Sequence, residues 1–170
     1  MMKEWIRDIL IAIVIALLIT QVIKPTIVKE NSMQATLYEN NYLLLNKQAY
    51  LFSEPEYKDI VVFHSNLKTA EGKEKLLIKR IIGLPGDIIT IEDGQVYKNG
   101  KALEEPYIKE PYTMGDTVLE VPEGFMFVMG DNRQHSADSR DPQIGCVEMN
   151  KIVGKAFVKL YPFNEMGLIH

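Results

Sequence analysis

Ile9 to Leu18 is an unbroken apolar run, and Ile19, Val22 and Ile23 extend it past Thr20 and Gln21. Asp8 closes the run on one side and Lys24 on the other. At about 1.5 Å per residue it is slightly short for a hydrocarbon core of about 30 Å. Trp5 and Ile6 lengthen it, with the indole at the interface and Lys3, Arg7 and Lys24 reaching outward. Apolar residues cover every face, which suits lipid better than the one-sided stripe of a core helix. A cleavable leader would show a small-x-small pair after the run, where Val22, Ile23 and Lys24 stand instead. The pattern predicts an uncleaved transmembrane anchor over 9–23, preceded by a short segment, 1–8. Flanking charge does not orient it, because Lys3 and Arg7 on one side face Lys24 and Lys29 on the other.

After Pro25 the pattern changes to short apolar runs divided by turn chemistry. Residues 42–45, 60–63, 76–82 and 88–91 are candidate strands, rich in β-branched and aromatic side chains. Gly83-Leu84-Pro85-Gly86-Asp87 marks a turn. Val96 to Leu103 reads as a hairpin turning on Asn99-Gly100. Glu104 to Asp116, rich in Pro, Glu and Tyr, leaves the main sheet, and 125–129 and 152–160 give the last strands. The expected architecture is mainly β: two antiparallel sheets with a small hairpin-bearing insertion (about 92–118) in a domain covering 24–170, after one transmembrane helix.

Composition narrows the function. The 170 residues are 46% hydrophobic and 25% charged, ordinary for a folded protein. A net charge of −4, a pI near 5.4 and the lack of a basic stripe make nucleic acid a poor partner. Cys146 is the single cysteine, so no intrachain disulfide or Cys-based zinc site forms, and it reads as a small core residue.

The chemistry begins with Lys79. On a strand it shares a face with Leu77 and Ile81, and a cation on an apolar face is costly unless it finds a partner or loses its proton. Lowering a lysine from its ordinary value of about 10.4 to near 8 costs roughly 3 kcal/mol, which a folded domain tolerates. The result is a neutral amine able to accept a hydroxyl proton. Arg80 sits between Ile78 and Ile82, but a guanidinium keeps its proton, so an ion pair is expected there. His64, His135 and His170 are scattered, and neither H-E-x-x-H nor Gly-x-Ser-x-Gly occurs, so no metal site is expected. A Ser-His-Asp arrangement through His135 is conceivable. Ser32, in Glu30-Asn31-Ser32-Met33-Gln34-Ala35-Thr36-Leu37, is either a cap or turn serine or a nucleophile close to the anchor.

Taken together, these segments resemble the type I signal peptidase family in its short, single-anchor Gram-positive form. Ser32 to Leu37 is similar to S-M-x-P-T-L, and Tyr57 to Phe63 resembles G/Y-D-I-V-V-F. Lys79 to Asp87 matches K-R-I-I-G-L-P-G-D, and Asn99-Gly100-Lys101 with Glu105-Pro106-Tyr107 resembles the insertion hairpin. Gly130 to Arg140 resembles G-D-N-R-x-x-S-x-D-S-R. The resemblance covers nearly the whole chain in order.

It implies a protease without cofactor, on the outer membrane face, cutting signal peptides from exported preproteins after small residues at the first and third positions before the cut. Ser32 falls on the nucleophile and Lys79 on the general base, with the Ser32 N–H at the oxyanion. Ser136 falls on the serine that orients the lysine, and Asp131, Asp138 and Arg140 on the supporting polar network. Met33 and Ile78 fall on substrate-binding positions. Residues 1–8 would then be cytoplasmic. Two departures stand out: Ala35 replaces the family's proline, and Glu30 occupies the place of a serine or glycine two before the nucleophile. An inactive, membrane-anchored module that only binds signal peptides is the rival reading. A Ser/Lys autoprotease is another, but it needs a DNA-binding segment where this chain has its anchor.

Overall fold

The computed structural model describes residues 2–169. Helix α1 (Met2–Val22) is followed directly by strand β1 (Ile23–Ile27). The helix therefore starts before the apolar run and stops one residue short of the expected anchor limit at Ile23. Pro25 explains the stop, since the residue before a proline is pushed out of the helical region and the ring removes a donor. A proline in a strand is confined to sheet edges, and β1 is an edge, pairing with β2 (Tyr42–Asn46) alone. The 18-residue apolar window of α1 within Lys3–Val22 has a mean hydropathy of 2.1 and none of it is buried in the protein.

The main sheet continues with β3 (Ile60–Lys68), β4 (Glu74–Gly83), β9 (Phe125–Met129), β10 (Val147–Glu148), β11 (Ile152–Tyr161) and β12 (Gly167–Leu168). Its order is β1-β2-β11-β3-β4-β9-β10, with β12 on β11 and every pairing antiparallel. The second sheet holds β5 (Ile88–Glu92), β6 (Gln95–Lys98), β7 (Lys101–Ala102) and β8 (Thr117–Glu120), in the order β7-β6-β5-β8. Its strands run from 88 to 120, wider than the hairpin-bearing insertion expected at about 92–118, because β5 pairs with β6 and β8 and not with the main sheet. Asn99 and Gly100 both have positive φ, 53° and 75°, the geometry that matches a two-residue turn to the twist of its strands.

Strand β4 lies where three apolar clusters meet. Leu77 and Ile81 join Val61, Phe63 and Val128, while Ile82 joins Phe127, Met129 and, from the second sheet, Ile89 and Val96. Ile78 packs against a third cluster containing Met33, Leu37, Leu43 and Val62. Polar side chains in the middle of β4 are consequently cut off from water. Cys146 is half-buried against the cluster that joins the sheets.

Candidate active site

The segment after β1 carries the hydroxyl. Met33 and Leu37, both fully buried, root the turn, and the Leu37 N–H donates to the Met33 carbonyl at 2.8 Å. Ser32 is 5% exposed above them, and its carbonyl accepts from the Asn132 N–H at 3.0 Å. A Cβ at Gly130 would lie 2.3 Å from that same carbonyl oxygen and 2.2 Å from Ser136 Oγ, so only glycine lets the loop after β9 approach so closely. Ala35, in the place of the family's proline, lies in a turn also held by Thr36, whose hydroxyl donates to Asp131 at 2.5 Å.

Lys79 reaches this turn from β4. Its Nζ donates to Ser32 Oγ at 2.5 Å, and the residue is 1% exposed. Burial lowers its pKa from 10.5 to about 8; the carboxylates of Asp138, Glu30 and Asp131 oppose the shift, and the Lys75 ammonium assists it. The amine is thus partly neutral just above neutral pH while touching a hydroxyl. The Ser32 N–H donates to no backbone acceptor among the described residues, which leaves it free for a developing oxyanion.

Arg80, next along the strand, makes the ion pair expected of it. Its guanidinium donates to Asp131 at 2.9 and 2.8 Å and stands 4.0 Å from the Tyr107 ring centroid. Asp138 takes two hydrogen bonds from Arg140, at 2.8 and 2.9 Å, and one from the Gly130 N–H at 3.0 Å. Burial works against the Asp138 charge, but Arg140 and the Gly130 N–H hold its pKa below the ordinary carboxylate value. Asp131, Asp138 and Arg140 therefore stand together around the loop that carries Gly130.

Ser136 is placed differently from expectation. Its Oγ is buried beside Gly130 and close enough to Asp138 to favour that charge, but it completes no hydrogen bond and does not engage the Lys79 amine. Met33 is 0% exposed, so its side chain forms the floor under Ser32, while Ile78 is half-buried on β4. Glu30 turns to the Lys75 ammonium, with which it forms an ion pair. The carboxylate that would repel an oxyanion is thereby compensated. His135 is exposed, its Nδ1 3.4 Å from Asn132 Oδ1, and His64 sits 3.5 Å from Glu74. Neither touches Ser32, and His170 lies outside the described residues. Among the described residues no cluster of three or more His, Cys, Asp and Glu is arranged to hold a metal ion.

Sequence reasoning missed one further group. Arg133, 3% exposed, donates to Glu105 at 2.8 and 2.5 Å, to Thr113 Oγ1 at 3.0 Å and to the Gly130 carbonyl at 3.1 Å. Tyr107 donates to the same Glu105 at 2.7 Å. This ties the segment between β7 and β8 to the loop beside Ser32. Arg133 and Glu105 both lie in motifs already noticed, yet 28 residues separate them and nothing local marks them as partners.

A hydroxyl held against a buried amine of lowered pKa, in a mainly β frame, is the arrangement that a Ser/Lys hydrolase requires. Comparison with known proteins makes the class specific. The family described as "Signal peptidase, peptidase S26" matches residues 2–161. A signal peptidase I from Bacillus licheniformis is 36% identical over 174 residues, covering 96% of this chain and 90% of that protein. One from Bacillus caldolyticus is 39% identical, covering 91% and 88%, and a probable signal peptidase I-1 from Synechocystis sp. is 37% identical, covering 97% and 85%. The crystal structure of a signal peptidase I from Enterococcus faecalis V583 is 34% identical, with a TM-score of 0.51, covering 61% of this chain and 97% of that one. The chain belongs to the signal peptidase family, a family of serine endopeptidases. Its apolar helix and these relatives fit a membrane-anchored protein.

Proposed function

We propose that this chain removes N-terminal signal peptides from exported preproteins, with Ser32 as nucleophile and Lys79 as general base. The observation that carries the reading is the 2.5 Å contact between Lys79 Nζ and Ser32 Oγ in a site where burial lowers the amine pKa to about 8. When the amine is neutral, the hydroxyl donates to it, and Ser32 Oγ attacks the carbonyl of the residue before the cut. The C–N bond breaks as the lysine returns its proton to the leaving amine. An acyl-enzyme remains, and water attacks it with Lys79 again taking a proton. The Ser32 N–H stabilises the oxyanion in both steps.

The substrate lies extended beside the site like an added strand, with small side chains at its first and third positions before the cut. Ile78 borders that strand and Met33 supports the serine from below. Asp131, Asp138 and Arg140 hold the loop of Gly130, and Ser136 comes onto Lys79 once substrate excludes water. Residues 24–170 form the protease domain outside the cytoplasmic membrane, the helix is the anchor and 1–8 remain inside.

The test uses the full chain in detergent on a preprotein and on peptides with Ala at those two positions. Cleavage after the alanine, lost in Ser32→Ala, is the expected result. Cleavage unchanged in that variant overturns the nucleophile assignment.

A further inference from the structure

Glu30 and Lys75 take no part in the reaction above, yet their ion pair bridges the two chain segments that flank it. β4 pairs with β3 along 74–80 but meets β9 only from Arg80 onward, so its other edge is open over 74–79. Lys29 and Glu30, on the approach to Ser32, belong to no strand, and among the described residues their backbone makes no hydrogen bond. Alternation puts Lys75, Leu77 and Lys79 on one face of β4, so Lys75 points to the same side as the base. Ser65 Oγ fixes the start of that row by donating to the Lys75 carbonyl at 2.8 Å. From there the Lys75 ammonium reaches the Glu30 carboxylate, as Lys79 reaches Ser32 further along. Glu74 turns the other way, to His64 and Lys68. Among the described residues neither Glu30 nor Lys75 has a second ion-pair partner.

We propose that Lys75 is a positioning residue for the reaction: it draws the Glu30 carboxylate away from the oxygen that turns negative at Ser32 and neutralises it there. This rests on the reading of Ser32 as nucleophile with its N–H at the oxyanion. A free carboxylate two residues before the nucleophile would raise the energy of the tetrahedral intermediate, because like charges repel most where burial excludes water. Asp131 and Asp138 carry no such risk, since each is paired to an arginine, Arg80 and Arg140. Glu30 depends instead on a lysine across an open strand edge. The pair acts on the base as well. Burial dominates the lowered pKa of Lys79, and Asp138 and Asp131 favour its charge; Glu30 adds to that pull and Lys75 opposes it. Without Lys75 the Glu30 carboxylate would both hold the proton on the base and repel the oxyanion.

The test is a double-mutant cycle on Lys75→Met and Glu30→Gln, in the full chain in detergent, on a peptide with Ala at the first and third positions before the cut. Lys75→Met should lower the saturating single-turnover rate roughly tenfold with little change in KM. Adding Glu30→Gln should restore the rate, and Lys75→Arg, which keeps the pair, should retain it. The acidic limb of the pH profile, near 8 in the wild type, should move up in Lys75→Met and down in Glu30→Gln. A loss that persists beside Glu30→Gln overturns the proposal. So does a Lys75→Met chain whose rate and limb equal the wild type, the outcome expected of an ordinary surface ion pair. A rise in KM alone would make Lys75 a wall of the substrate cleft and overturns the proposal too. Ser32→Ala is measured alongside. If that variant cleaves normally, the nucleophile reading fails and takes this inference with it; if it is inactive, a flat cycle condemns this inference alone.

Discussion

Lys79 and Arg80 are adjacent cations on β4, each 1% exposed, and they serve the molecule in opposite ways. On the Arg80 side, Asp131 accepts two hydrogen bonds, the Lys58 carbonyl accepts one at 3.1 Å and the Tyr107 ring covers the guanidinium. On the Lys79 side the hydrogen-bond partner is the neutral hydroxyl of Ser32, and the carboxylates of Asp138, Glu30 and Asp131 act only through space. Burial is equal; direct contact with a carboxylate is what differs. A buried cation with such a contact keeps its charge and braces the loop, and one without it sheds its proton in reach of a nucleophile. The residue types agree with these roles, since arginine does not deprotonate in a protein and lysine does so readily when desolvated.

Exchanging the two chemistries gives the largest effect. Lys79→Arg keeps the charge but supplies no base, so single-turnover cleavage should fall by about 10³-fold or more, as it should in Ser32→Ala. Substantial activity in the arginine variant would reduce Lys79 to a charge and make His135 the next proton acceptor to test. Removing the partner on the other side should cost stability instead. Asp131→Asn leaves Arg80 buried without its carboxylate, a loss of about 3–5 kcal/mol by denaturant titration.

Lys79→Met sharpens the same contrast with the opposite sign. The folded protein holds this amine at about 8 against 10.5 unfolded, so the unfolded chain binds the extra proton between those values. Wild-type stability should therefore rise with pH across that window. Below it Lys79→Met should be more stable than wild type by about 3 kcal/mol, an advantage that fades by the upper limit. The wild-type rate should climb through an acidic limb near pH 8 that reports the same group; a limb near 10 would deny the desolvation. Ser136→Ala should have the smallest effect, slowing the reaction roughly tenfold without abolishing it, because in the proposed reaction that hydroxyl comes onto the amine to orient it and does not itself react. An unchanged rate would mean that the partnerless Ser136 Oγ never comes onto Lys79.

Much of this was legible in the chain itself. The all-round apolar run marked the helix, because lipid makes no distinction between faces. Alternation around Lys79 marked a cation on an apolar face, because strand geometry fixes which neighbours share a side. The Asn99-Gly100 turn and the strand at 125–129 followed from local rules of the same kind. The edge strand through Pro25 did not, since a proline argues against a strand until the sheet shows that the position is an edge. The neighbours of β5 were equally hidden, because strand pairing is decided by distant segments. Tertiary structure alone joined Arg80 to Asp131, Arg133 to Glu105 and Glu30 to Lys75, and it supplied the contact between Lys79 and Ser32 that the family resemblance had only implied. An ion pair leaves no trace in the spacing of its members when tens of residues separate them. The pKa of Lys79 belongs to that second category too: sequence supplies a lysine on an apolar face, but only the packed surroundings exclude the water and set the distance to each carboxylate that decides its charge.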